Sequence, residues 1–301
     1  LNVNGTGGLN FGTTSVGGAL SATSGNGAIT QTGALTVTGT SALNAGTGDI
    51  TLNHATNNFA GAVSSSGANV SLTDGTGGLV LGATNATGTL SVTSTDGAIT
   101  QVTPYTSSNA ITTGGAASFT ATSGANAADI TLANPDNSFG GTVALSGKDV
   151  SIVDKTALTL DAVSTTGNLN ATGTGGLSFD TASVGGALSA TSGNGAITQT
   201  GALTVTGASA LNAGTGDITL NHATNNFAGA VSSSGANVSL TDGTGGLVLG
   251  ATNATGTLSV TSTDGAITQV TPYTSSNAIT TGGAASFTAT SGANAADITL
   301  A

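Results

Sequence analysis

The chain has 301 residues, 49 of them Gly, no Cys, Met or Trp, and a formal net charge of −11. Its only cations are Lys148 and Lys155, set against thirteen acidic residues that are all Asp. This balance excludes a nucleic-acid footprint, which needs clustered Lys and Arg, and speaks against an anionic membrane surface. Without Cys there is no disulfide framework and no thiolate metal site.

Hydrophobic residues make up 37% of the chain and charged ones 5%, the opposite of a disordered composition. β-Branched residues abound and strong helix formers are nearly missing, so the chain reads as all-β. No apolar run approaches the roughly 18 residues that span a bilayer, and no membrane insertion is expected. The chain opens at Leu1 and closes at Ala301 in mid-pattern, as a window cut from something longer.

In chain order, the first signal is the phrase GAITQ at 27–31, preceded by Asn26, followed by LTVT at 35–38. Short apolar pairs in alternating register then predict strands at Ile50/Leu52, Val70/Leu72 and Leu90/Val92, with Leu79/Leu81 between the last two. GAITQ returns at 97–101 after Asp96, and the pairs resume at Ile130/Leu132, Val150/Ile152, Leu158/Leu160, Leu169/Ala171, Leu177/Phe179 and Leu188/Ala190. Clusters of Gly, Asn, Asp and Ser between the pairs supply turns. Pro104, Pro135 and Pro272 fall outside the strand cores, where no ladder donor is required.

The whole pattern then repeats. Residues 1–133 recur as 169–301 with six differences, Val3/Ala171, Asn4/Thr172, Asn10/Ser178, Gly12/Asp180, Thr14/Ala182 and Thr40/Ala208. The repeat unit is 1–168, with a second, incomplete copy at 169–301. A weaker repeat lies inside it, in which the stretch from Asp49 resembles the stretch from Asp129 at an offset of 80. An apolar pair about every 20 residues is what one rung of a parallel β-helix requires. The expected fold is a parallel β-solenoid, one continuous coil over 1–301, with rungs of about 20 residues rising about 4.8 Å each. Equivalent residues should then stack, Phe59 with Phe139 in the core and Asn57 with Asn137 as amide ladders. A row of Ig-like sandwich domains is the competing architecture, disfavoured by the short period and the lack of linkers.

Chemistry is scarce. His54 and His222 are one repeat position without a second His, Cys or Glu nearby, and read as turn imidazoles. Asp49, Asp74, Asp96 and Asp129 read as single turn carboxylates. Lys148, Asp149, Asp154 and Lys155 form the densest charged cluster, the one candidate interaction patch, with a solvated strand end as its plain alternative. The Gly-rich runs lack the Lys of a phosphate-binding loop, and no His–Ser–acid set can be assembled. Neither a cofactor nor an enzymatic activity is expected.

The phrases LTVTG, GDITL, GAITQ and NNFAGAVSSSGANVSLTD resemble the repeat region of filamentous-haemagglutinin-type exoproteins, the large bacterial adhesins of two-partner secretion. The resemblance implies a right-handed β-helix shaft, export to the cell surface, and adhesive or biofilm-matrix roles. The resulting expectation is an extracellular structural repeat module, a stiff rod that associates with itself into fibres and meets host or matrix glycan or protein. The competing class is a carbohydrate-binding or carbohydrate-active β-helix with a groove beside 134–168.

Overall fold

A computed structural model describes residues 1–301. The chain is an all-β parallel β-solenoid of about 13 turns, in two compact units, Leu1–Lys155 and Thr156–Ala301. The boundary between the units falls within the divergent segment 134–168, ahead of the start of the second sequence copy.

In the first unit each turn contributes short strands to three faces. The first face stacks Asn2–Gly5, Leu20–Ser24, Ser41–Asn44, Val63–Gly67, the second half of Leu79–Ala86, Ile111–Thr113 and Ser138–Phe139. The second stacks Leu9–Phe11, Ile29–Gln31, Ile50–Leu52, Val70–Asp74, Leu90–Ser94, Ala117–Ser123 and Val143–Gly147. The third holds two ladders, Thr14–Val16 to Asn58–Phe59 and Leu79–Ala86 to Val150–Asp154. All of these pairings are parallel, so each strand's donors and acceptors are met by the turns before and after it.

Alternation does the packing. Ile50, Val70 and Leu90 lie directly over one another, as do Leu52, Leu72 and Val92, and all six are buried. Each such side chain contributes about 1.5–3 kcal/mol when removed from water. Small turns let the coil close. A Cβ added to Gly27 would stand 2.3 Å from the carbonyl carbon of Gly7, and one on Gly48 would stand 2.4 Å from the Gly27 oxygen. Glycines therefore sit where successive turns touch backbone to backbone.

The spacing departs from about 20 residues in two successive steps of the first unit, Leu90 to Ala117 (27 residues) and Ala117 to Val143 (26), and again from Leu258 to Ala285 (27) in the second. Two excursions take up the extra length. One runs over 102–110 and contains the 3₁₀ turn Ser107–Asn109; the other is a small antiparallel hairpin in which Thr122 pairs with Ala127. The second unit repeats both, with the turn Ser275–Asn277 and the pairing of Thr290 with Ala295.

The 80-residue repeat does not stack on itself as the sequence pattern predicts. Ile50–Leu52 belongs to the second face, but its equivalent Ile130–Leu132 pairs with Ile99 on the third. Phe59 likewise pairs beside Val37 on the third face, whereas Phe139 pairs beside Thr113 on the first. The two rings are therefore not stacked on each other. Phe139 instead meets Phe119 edge to face, with centroids 6.1 Å apart. Eighty residues carry the chain through a non-integral number of turns, so the pattern returns one face further round.

A duplicated groove and three buried polar corners

Lys148, Asp149, Asp154 and Lys155 do not act as one cluster. Lys148 is exposed, and its ammonium lies 3.1 Å from Asp149 and 3.8 Å from Asp129. Both carboxylates hold its pKa above the usual lysine value. The reason for this lysine is visible in the equivalent turns. There, Asp49 Oδ1 accepts the backbone and side-chain N–H groups of Asn69, at 3.0 Å each, and Asn69 Oδ1 accepts from Thr89 N and Oγ1. In the half-repeat Asp149 replaces that Asn and would face Asp129 across one rung; Lys148, standing where the first half-repeat has Ala68, bridges the two acids. Lys155 is exposed, and Asp154 is fully buried.

The histidines sit in turns. His54 is exposed, and its Nδ1 accepts from Thr56 N at 3.3 Å. Asn134 holds the equivalent position and makes the same turn through its Oδ1, which accepts from Asp136 N at 3.0 Å. The imidazole thus stands in for a side-chain carbonyl.

The buried polar groups lie at corners between faces. Gln31, the last residue of the first GAITQ, and Asn57 bond reciprocally: Gln31 Nε2 donates to Asn57 Oδ1 at 2.8 Å, and Asn57 Nδ2 returns a bond to Gln31 Oε1 at 2.9 Å. Asn57 also accepts from Leu35 N and donates to the carbonyls of Leu52 and Thr73, so one fully buried amide ties three turns together. Gln101 with Asn137, and Gln199 with Asn225, repeat the arrangement at 2.8–3.0 Å. The expected Asn57–Asn137 ladder is replaced by these Gln–Asn pairs, because the two Asn residues lie on different faces.

Each corner also carries a buried Asp. Asp74 accepts from Phe59 N at 2.7 Å and from Thr76 N at 3.2 Å; Asp154 accepts from Phe139 N at 3.1 Å, and Asp242 from Phe227 N at 2.8 Å. Burial raises the pKa of Asp74 and Asp242 above the ordinary carboxylate value, against the lowering effect of those N–H donors. The sequence reading of Asp74 as a turn carboxylate missed its burial. The signal was the recurrence of the GAITQ, Asn-x-Phe and terminal Asp phrases as a set, at 31/57/74, 101/137/154 and 199/225/242.

A groove of about 400 Å³ opens on the first face of the first unit. Its outward residues form two files along the coil. Ser21, Ala42 and Ser64 are neighbours on successive turns, and Thr23, Asn44, Ser66 and Asn85 run alongside them. The excursion at 102–110 walls it through Ser107 and Ala110. The second unit holds an equivalent groove of about 440 Å³, with Ala210, Asn212, Ser232 and Asn253 in the corresponding places and Ser275 in its wall. Every lining side chain is uncharged. Sequence reading did not find the groove, because its residues come from turns about 20 residues apart and carry no motif individually.

The model of a family described as repeats of unknown function (DUF5649) matches residues 1–66, 67–146, 173–234 and 235–301. The chain belongs to this family. The matched units are of the order of the 80-residue half-repeat rather than the 168-residue one, and leave 147–172 outside. A DUF5649 repeat in this chain thus amounts to a few turns of solenoid, each unit beginning or ending part-way round the coil. No curated protein and no solved structure matches the chain.

Proposed function

We propose that this chain is a non-catalytic structural repeat module of a long bacterial surface or biofilm-matrix fibre protein, exported by a two-partner route and adhesive in role. The observation that carries the reading is the near-verbatim recurrence of an entire solenoid segment, with six differences over 133 paired positions. An active site has no use for a second copy of its supporting turns, whereas a spacer gains length from each one. Within a unit, every added turn supplies both the ladder and the apolar cover that its neighbour needs, so extension requires no new design. Scarce charge and abundant small polar residues suit a protein that is densely displayed. Self-association into fibres, and contact with matrix glycan or protein, belong to the same reading.

Electron microscopy of chains carrying one, two and three 168-residue repeats tests it. The expected result is uniform rods whose length increases by a constant step of roughly 40 Å per repeat, from about 4.8 Å per rung. Beaded particles, or rods of unchanging length, would overturn the reading.

A further inference from the structure

We propose that the groove on the first face is a docking site for a second copy of this chain, and that it receives the partner's 102–110 excursion. The inference rests on the fibre reading and deepens it, assigning self-association to one surface of each unit.

Charge narrows the choice of partner. Copies carrying −11 each repel one another, so close approach is confined to surfaces free of carboxylate. The groove lining contains no charged residue, and the segment Val102-Thr-Pro-Tyr-Thr-Ser-Ser-Asn-Ala110 contains none either. The two features also occur together, one of each per repeat: groove and excursion at 21–112 in the first unit, and again at 189–280 in the second. Knob and socket are thus matched in number.

The excursion is built as a rigid projection. Asn109 Oδ1 accepts from Thr106 N at 3.0 Å, and Asn109 Nδ2 donates to the carbonyls of Val102 and Pro104. Asn277 makes the same three bonds in the second unit. A loop already held in its bound form loses little entropy on docking. It also carries an aromatic ring, Tyr105, which stays half-buried rather than buried even with the following turn in place. The groove supplies the complement, a floor of Ser21, Ala42 and Ser64 small enough to admit a ring, edged by the carboxamides of Asn44 and Asn85. A glycan is the weaker occupant, because the groove offers no aromatic platform of its own.

Sedimentation velocity of the 301-residue chain tests the proposal, using three proteins. The native chain should associate with rising concentration. Ala42→Asp with Ala210→Asp places a carboxylate in each groove at an exposed position and should weaken association at least tenfold, most at low salt. Tyr105→Ser with Tyr273→Ser should weaken it comparably from the other side. Mixing the two variants should restore association, since one keeps its excursions and the other its grooves. A native chain that stays monomeric at all concentrations, variants that associate like the native chain, or mixing without rescue would overturn the docking site. So would binding of a neutral polysaccharide that is lost in the groove variant. None of these results would alter the rod lengths seen by microscopy, so failure of the docking site and failure of the rod reading are separable.

Discussion

The two half-repeats, 49–74 and 129–154, share a skeleton and differ in their surroundings. Both end in a buried Asp that caps a Phe N–H, and both place a buried Asn against a Gln of an earlier turn. They lie on different faces, and their exposed polar files differ: Asp49–Asn69 in one, Asp129–Asp149 with a bridging Lys148 in the other. The comparison teaches that the corner hydrogen bonds are the fixed requirement of this coil. The surface file is exchangeable, provided its charge is compensated.

Removing the corner amide should break the likeness most severely. Asn57→Ala would strip partners from Leu35 N, the Leu52 and Thr73 carbonyls and the Gln31 amide. We expect a loss of about 3 kcal/mol or more in denaturant unfolding, with Asn137→Ala comparable despite its different face. Asp74→Ala would orphan Phe59 N and Thr76 N only, and should cost about 1–3 kcal/mol by the same measurement.

The pH dependence sharpens the point. Asp74 and Asp242 hold their protons more firmly in the fold than the ordinary value of 3.8 allows. Between 3.8 and that higher value the folded chain binds protons that the unfolded chain releases. Their contribution to stability therefore rises as pH falls through this window, is complete below 3.8, and is lost as pH rises past the folded value. Asp74→Asn with Asp242→Asn keeps a side-chain oxygen for Phe59 N and Phe227 N, and thermal melts should show this pH-linked gain abolished.

Smaller effects come from the core hydroxyls and the surface. Ser94 and Ser262 bury hydroxyls that make no hydrogen bond, so Ser94→Ala should raise stability by about 1 kcal/mol. Lys148→Ala should lower stability only slightly, because the pair is exposed, and the loss should vanish when Asp149→Asn is added. A cost that survives the second substitution would contradict the compensation argument.

Much of the fold was legible because alternation in short strands reports a face directly. Every pair from Ile50/Leu52 to Leu188/Ala190 is buried as predicted, and the parallel coil follows from their spacing. The rotation of the half-repeat by one face was not legible, since the 27-residue turns hide how many strands lie between Asp49 and Asp129. Burial was only partly legible. Residues 111–133 and 279–301 are identical, yet Ile111 and Phe119 are buried while Ile279 and Phe287 are half-exposed. The difference is the turn at 130–147, which covers the first segment; in a solenoid the neighbour, not the sequence of the turn itself, completes the core. The corners and the groove escaped for a related reason, as each joins residues of different turns.

The central claim is that successive turns stack in parallel register, which places Ser71 beside Ser91 and Ser91 beside Ser118. The chain has no cysteine, so engineered pairs report this directly. Under mild oxidation Ser71→Cys with Ser91→Cys should form an intramolecular disulfide, because adjacent strands lie about 4.8 Å apart. Ser71→Cys with Ser118→Cys, two rungs apart, should remain reduced. Cross-linking of the second pair without the first would contradict the stacked coil.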